Sequence, residues 1–329
     1  MDDGFRLSAV MDVSVVIPTF NREKLLLESL PKLANQEAGN FRYEVIFVIN
    51  GSSDGSEAVL KDAVRRWPDR IRYFYIPPSG SPAAPRNVGI RSAKGNVVVI
   101  IDDDVVPDPG LVFHHAEFHR LHPEPHVAAV GELTIPKALL NDPISFFHEF
   151  IDYDTLRGKD RLSFLDFWTC NVSVKRQFML DYGMFDESLL YFEDGLCGYR
   201  LASNGMQLYF VPKASGQHLH QMKLTDLAAK GSLIGRSLYA FEQLVPEREV
   251  RQRYGILSKD LGAKAYLLRL LNRVLLYSLS NPFFMAGLKA AATASRTRNR
   301  ITDAYYYFLF RRSILSAYRT TKRDARRHY

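Results

Sequence analysis

The stretch Val97-Val98-Val99-Ile100-Ile101-Asp102-Asp103-Asp104 sets five β-branched apolar residues directly before three carboxylates. A run of that length and branching, with no polar residue in alternation, predicts a strand buried on both faces, the habit of parallel sheets covered by helices. Its aspartates then emerge at the carboxyl end of the strand, where open α/β sheets take their ligands. Alternation puts Asp102 and Asp104 on one side of the chain and turns Asp103 outward, away from them. Two like charges about 4 Å apart repel by roughly 4 kcal/mol at an effective dielectric near 20. A divalent cation reverses that sign, and the hard ions Mg2+ and Mn2+ take one or two carboxylates completed by water and substrate phosphates. The plain alternative is a solvated acidic turn after a strand.

Working outward, residues 13–17 are a short apolar run closed by Pro18. Leu25, Leu26, Leu30 and Leu33 follow at helical spacing after Asn21, which has the chemistry of a helix cap. Residues 45–49 repeat the strand, with Gly51-Ser52-Ser53-Asp54-Gly55 as its loop and Ala58, Val59, Leu60 and Val64 as the next helical face. A third strand is expected over residues 71–76, and a helix over residues 86–93 leads through Gly95 into the aspartate strand. This alternation predicts a parallel, right-handed, Rossmann-like sheet. No Gly-x-Gly-x-x-Gly follows the first strand and no Gly-x-x-x-x-Gly-Lys-Ser/Thr occurs, which removes the specific support for dehydrogenase and P-loop NTPase readings. The sheet offers instead three loops at its carboxyl edge, residues 18–22, 50–55 and 102–104, able to converge on one nucleotide.

The chain has 329 residues, 47% of them hydrophobic, enough for one large α/β core and a second, smaller unit. Its two cysteines, Cys170 and Cys197, read as free thiols in a reducing compartment. The N-terminus lacks the positive flank and apolar core of a signal peptide, so a cytoplasmic location is expected. The net charge of +7 conceals an asymmetry: residues 1–220 hold 22 Lys and Arg against 29 Asp and Glu, residues 221–329 hold 21 against 7. A basic tail of this kind can meet nucleic acid, an anionic membrane or an acidic partner. Residues 265–279 carry Leu at nearly every helical position, with Arg269, Asn272 and Arg273 confined to one side, an amphipathic helix with a wide apolar face. The charge-free stretch 274–288 is broken by Asn281-Pro282 and is shorter than the ~20 residues a spanning helix needs. Two readings of this region stay open: helices packed on the rest of the protein or on a second copy, and interfacial docking on anionic lipid, helped by Arg296, Arg298, Arg300, Arg311, Arg312 and Arg319.

In order and spacing, several segments resemble the family-2 glycosyltransferases of the GT-A fold over residues 13–220. They are Val15-Val16-Ile17-Pro18-Thr19-Phe20-Asn21-Arg22, Asn50-Gly51-Ser52-Ser53-Asp54-Gly55-Ser56, Pro85-Arg86-Asn87-Val88-Gly89-Ile90, Ile101-Asp102-Asp103-Asp104, Gly183-Met184-Phe185-Asp186-Glu187, Glu193-Asp194 and Arg200-Leu201. The resemblance implies a GT-A, mostly parallel Rossmann-like sheet flanked by helices over residues 1–220. Within it a nucleotide-sugar half would span about 13–105 and an acceptor half 106–220, with a basic helical extension over 221–329. It implies a nucleotide-diphosphate sugar donor, with Pro18, Thr19, Phe20, Asn21, Arg22, Asn50, Gly51, Arg86, Asn87, Asp102 and Asp103 on the donor side. Asp104 would bind Mn2+ or Mg2+, which stabilises charge on the leaving nucleoside diphosphate.

Inverting transfer also needs a base for the acceptor hydroxyl. The family pattern gives that role to Asp194, with Glu193 in support. Read alone, the same pair is equally a set of carboxylates at the start of a helix running through Leu196, Tyr199 and Leu201. His218 fits the family's further metal ligand better than His220, and imidazole suits Mn2+ better than Mg2+; a surface His-x-His turn is the alternative. His114, His115 and His119 read as structural or solvated. The acceptor side is expected in residues 131–175, whose Phe146, Phe147, Phe150, Tyr153, Phe164, Phe167 and Trp168 suit sugar rings as well as cores. Trp168, close to Asn171 and before an expected helix, is named with Asn171 as the acceptor contact. Two positions depart from the family pattern: Ile49-Asn50 stand where many members carry an acid that reads uracil, and Leu196 stands where an acid is common. The resemblance thus implies an inverting, metal-dependent transferase acting on a glycan or lipid-linked acceptor; the N-terminus points to the cytoplasm, and the basic extension, where it docks on lipid, to the inner face of the membrane. An anionic membrane and a second copy of the chain are further expected partners, and nucleic acid is not. The alternatives are a sugar-nucleotide nucleotidyltransferase, which would want a Gly-rich, Arg-bearing first loop, and a catalytically silent binding module.

Overall fold

The computed structural model describes residues 11–140, 153–219, 226–279, 281–295 and 298–327. Phe146, Phe147, Phe150, His220 and Arg296, named above, lie outside them. The first hundred residues run β1 (Val13–Thr19), α1 (Glu23–Ala34), β2 (Tyr43–Asn50), α2 (Ser56–Arg66), β3 (Ile71–Ile76), α3 (Ala83–Ser92) and β4 (Val97–Ile101). Then come β5 (Val105–Pro107), α4 (Leu111–Leu121), β6 (Val127–Thr134), α5 (Lys137–Leu140), β7 (Asn171–Lys175), α6 (Arg176–Tyr182), α7 (Glu193–Ser203) and β8 (Gln207–His218). Five helices follow: α8 (Leu227–Leu244), α9 (Arg248–Arg253), α10 (Ala263–Leu279), α11 (Pro282–Ala294) and α12 (Arg300–Ala325).

The strands form one eight-stranded sheet in the order β3-β2-β1-β4-β7-β6-β8-β5. The first four are parallel, with Val15 in register with Val45 on one side and Val99 on the other. β4 is buried along its whole length, as its uninterrupted branching requires. Beyond it the sheet is mixed: β7 runs antiparallel to β4 and β6, β6 is parallel to β8, and β5 antiparallel to β8. β8 is longer than the expected strand at 208–211. Pro212, Lys213, Ser215 and Gly216 spoil the apolar pattern, yet the strand continues past an irregularity in its pairing at Gly131/Glu132 to reach His218.

Two local expectations change. Asn21 is not the cap of α1: it sits in the left-handed region at φ 53, and Arg22 occupies the cap position. The buried face of α2 is Ser56, Leu60 and Ala63, with Ala58 exposed.

The chain divides into two units, one of residues 1–134, 153–188 and 193–219, the other of residues 135–152, 189–192 and 220–329. The first contains the sheet. In the second, α8 packs on α12 through Gly231 and Gly235: a Cβ at Gly235 would stand 2.3 Å from the Ile314 carbonyl oxygen, so only glycine lets the helices approach this closely. Leu227, Ile234, Leu238 and Phe241 of α8 and Tyr306, Phe310, Ile314 and Leu315 of α12 are buried. Phe192 stacks on Phe241 with ring centroids 5.2 Å apart. Among the described residues no helix is long and apolar enough to cross a membrane.

Candidate active site

The carboxyl ends of β1, β2 and β4 deliver the three loops to one place, because parallel neighbours end on the same edge. The first and second loops interlock through Asn21. Its backbone N–H donates to Ser52 Oγ at 2.9 Å, and its side-chain oxygen accepts from the Ser53 N–H at 2.8 Å. The Arg22 N–H donates to Ser56 Oγ at 2.9 Å. Gly51 is required at the turn: its φ is +72, and a Cβ there would lie 2.5 Å from Pro78. Pro18 and Thr19 close β1, while Phe20 stands 54% exposed at the rim. Ile49 is fully buried, and the Asn50 amide is engaged by Ser79 and Ser81, its oxygen accepting from the Ser79 N–H at 2.9 Å.

The aspartates divide as alternation predicts, with one correction. Asp103 is outside the set that Asp102 and Asp104 form, but it is not turned into solvent: it accepts from the Phe20 N–H at 3.2 Å and from Arg22 Nε at 3.1 Å. Burial pushes its carboxyl up to about 6, against the pull of Arg22. Arg22 Nη2 also lies 3.7 Å from Asp104. Asp102 and Asp104 are joined by His218, and the ligand atoms of the three all lie within 4.8 Å of one another. The pairing of β8 with β5 makes this set, since His218 is in register with Val105, the residue after Asp104. His218 Nε2 is 3.1 Å from Asp104 Oδ1. Two carboxylates and an imidazole at this spacing are a donor set able to hold a divalent cation.

Arg86 of α3 connects this set to α7. It is 5% exposed, donates through Nη1 to Glu193 at 2.6 Å and through Nη2 to Asp102 at 3.0 Å. Burial opposes its charge, but Asp102, Glu193 and Asp194 more than offset that and raise its pKa further. Asp194 is half-buried and accepts from the Gly195 N–H at 2.7 Å. Burial first and Glu193 second push its carboxyl up to about 7, while Arg86 pulls it down. A carboxylate poised near neutrality beside a cation set is the electrostatic pattern of general-base sites.

Of three residues expected at the site, Asn87 and Asn171 are buried in the core and Trp168 is half-buried. Asn87 is 2% exposed and spends its amide on Phe185 O, the Phe185 N–H and Glu187, latching the segment that leads to α7. Asn171 is fully buried, donating to Ala214 O at 2.8 Å and accepting from His115 Nε2 at 2.9 Å. It begins β7, not a helix. Trp168 donates its indole N–H to Leu165 O and stands edge-on to Tyr153, half-buried. Phe167 is core at 1% exposure.

The sequence reading missed the Tyr153 and Cys170 pair, whose Oη and Sγ are 3.7 Å apart. Burial, then the Asp102 charge, raises the Cys170 thiol, so it is held protonated. A conspicuous signal for it was absent, since both residue types are common in cores. Cys197 is likewise free and buried. His115 and His119 are buried and hydrogen-bonded to β7, which fits their reading as structural.

Comparison with known proteins agrees with this geometry. Among curated proteins, Escherichia coli chondroitin synthase is 29% identical over 66% of this chain and 36% of its own length. Validoxylamine A glucosyltransferase of Streptomyces hygroscopicus subsp. limoneus is 30% identical over 60% of this chain and 49% of its own. The chain thus spans about a third to a half of these relatives. Among solved structures, the mannosyltransferase PcManGT from Pyrobaculum calidifontis, in complex with GDP-Man and Mn2+, superposes with a TM-score of 0.64 at 17% identity, over 96% of this chain and 88% of that one. S. aureus TarS 1-349 in complex with UDP-GlcNAc gives 0.54 at 17% identity, over 97% and 92%. These likenesses fix the GT-A type of fold. The model of glycosyl transferase family 2 matches residues 14–182, just over half of the sequence, and this chain belongs to that family.

Proposed function

We propose that this glycosyltransferase is inverting and divalent-cation dependent, moving a sugar from a nucleotide-diphosphate sugar to a hydroxyl of a glycan or lipid-linked acceptor. The observation that carries this is Arg86, which ties Asp102 of the cation set and Glu193 of the Glu-Asp pair into one buried network at 3.0 and 2.6 Å. Residues 1–220 make up the transferase part and residues 221–329 a helical extension.

Asp102, Asp104 and His218 would hold the ion, Mn2+ in preference to Mg2+ because of the imidazole. When bound it supplies Lewis-acid stabilisation of the charge on the departing diphosphate. Asp194 takes the proton from the acceptor hydroxyl as that oxygen attacks, a contribution of typically 10²- to 10⁴-fold. Glu193 raises and Arg86 lowers the proton affinity of Asp194 through their charges. The interlocked loops of Pro18 to Arg22 and Asn50 to Gly51 form the nucleotide wall. Nucleotide sugars as donors are supported by the GDP-Man and UDP-GlcNAc bound to PcManGT and TarS.

The test is release of nucleoside diphosphate from a panel of UDP-, GDP- and dTDP-sugars, with and without Mn2+. Asp194→Asn is expected to lose roughly 10²-fold or more in kcat. Asp104→Ala is expected to lose the metal response. Full activity in either variant overturns the mechanism.

A further inference from the structure

Helix α10 is built inside out for a helix in water. Leu267, Leu268, Leu270, Leu271, Val274 and Leu275 are between 36 and 57% exposed. At 100° per residue they fall within an arc of roughly 160°. Arg269 and Arg273 lie on the opposite side, with the buried Leu276 alongside them, while the polar Lys264, Asn272 and Ser278 are exposed. Arg269 donates through Nη1 to the carbonyl oxygens of Arg251 and Ile256, both at 3.0 Å, and through Nη2 to that of Gln252 at 3.2 Å. Arg273 donates to the Gly255 carbonyl oxygen at 3.4 Å. The first arginine thereby satisfies the last carbonyls of α9, the groups a helix end leaves without partners. Ordinary amphipathic helices do the reverse, burying leucine and leaving arginine in water. Beyond the Asn281-Pro282 break, α11 begins with two further exposed apolar side chains, Phe283 at 91% and Phe284 at 40%.

The charge around this face selects its occupant. Between residues 261 and 302 the chain has seven Lys and Arg and no Asp or Glu. A second copy docked on the same face would bring two such cationic segments together, and interface cores between proteins are depleted of charge. An anionic bilayer offers both halves of what the face needs: acyl chains for the leucines and phenylalanines, and headgroup charge for the basic flank. α10 is 17 residues long, about 25 Å, which suits a helix lying in the interface plane.

We propose that the outer face of α10, with the start of α11, is an interfacial docking surface for anionic lipid membranes. The inference is independent of the sugar-transfer mechanism, and so is its test. The full chain is floated with vesicles of phosphatidylcholine containing phosphatidylglycerol and with vesicles of phosphatidylcholine alone. Binding to the anionic vesicles is expected to exceed binding to the neutral ones by roughly tenfold or more and to fall at high salt. The double substitution Leu271→Glu with Leu275→Glu is expected to cut binding by roughly tenfold or more while leaving the lipid-free melting temperature in place. Phe283→Ser is expected to weaken binding by a smaller factor. The proposal is overturned by absence of wild-type binding, by equal binding of the double variant, or by equal binding to both kinds of vesicle. It is also overturned by sedimentation showing a lipid-free dimer that the double variant dissolves.

Discussion

Strand β4 and the outer face of helix α10 are both lined by aliphatic side chains, and the fold treats them in opposite ways. Every residue of β4 is 6% exposed or less, whereas six apolar residues of α10 are 36% exposed or more. The difference lies in the backbone. A strand cannot satisfy its own N–H and C=O groups, so β4 has to be flanked, and β1 and β7 flank it. A helix satisfies its backbone internally, so nothing obliges the fold to cover α10. Its leucines are left for whatever the surroundings provide.

The comparison breaks most visibly at Val99. Val99→Asp puts an unpaired carboxylate in the centre of the sheet and is expected to cost more than about 4 kcal/mol, enough to abolish soluble folded protein. A folded, soluble Val99→Asp variant would mean that β4 is not the enforced centre of the sheet.

Next in size is Arg86, a charge buried as deeply as β4. Arg86→Met leaves Glu193 and Asp102 without their cation and is expected to destabilise by roughly 3 kcal/mol in urea unfolding. It also has a readout that packing alone does not move. Arg86 pulls the Asp194 proton affinity down, so its removal raises it, and the acid limb of the kcat/KM profile should shift to higher pH. An unshifted limb in a folded Arg86→Met variant rules out electrostatic control of Asp194 by Arg86.

These contrasts also mark what the sequence made legible. The parallel half of the sheet could be read because its strands are uninterrupted apolar runs, and the three loops followed from its ends. The mixed half could not be read as well: β8 carries Pro212, Lys213 and Gly216, and its pairing with β5 is what brings His218 to Asp104. Polar residues were harder still. Asn21, Asn87 and Asn171 each look like ligands in a string of letters, but the last two are fully employed inside the core, and burial of an asparagine leaves no periodic trace. Alternation separates Asp103 from Asp102 and Asp104 but turns it outward, whereas its carboxylate is held by Arg22, a partner visible only once the loops are in space. In α10 the sidedness of Arg269 and Arg273 was plain, but which side faced in was not.

A third prediction uses the buried histidines. Asn171 donates through its amide nitrogen to Ala214, so its oxygen accepts from His115 Nε2–H, and His115 Nδ1 is left buried and unprotonated, with no hydrogen-bond partner among the described residues. Burial holds this imidazole down to about 4. As pH falls below about 6.5 the unfolded chain takes up a proton that the folded chain refuses, so stability present at neutral pH is lost on acidification. Between about pH 6.5 and pH 5, His115 should account for roughly 2 kcal/mol of that loss. His115→Gln keeps a donor to Asn171 and should flatten the pH dependence of the unfolding midpoint by this amount. An unchanged slope would show that His115 does not titrate on unfolding.

The smallest expected effect bears on the other side of the comparison. Leu268→Glu on α10 exchanges two residues of similar helix propensity at a side chain already 54% exposed. The nearest-sequence charges are cationic, Lys264 at i−4 and Arg269 beside it, and an i,i+4 pair of opposite sign is worth a few tenths of a kcal/mol. The lost apolar contact and this gain nearly cancel, so lipid-free stability should move by less than about 0.5 kcal/mol in either direction. Where Val99→Asp asks whether the sheet enforces burial, this substitution asks whether anything covers α10 in the isolated protein. A loss above about 2 kcal/mol in thermal or urea unfolding would mean that Leu268 is buried in solution, and the contrast between the two elements would fall with it.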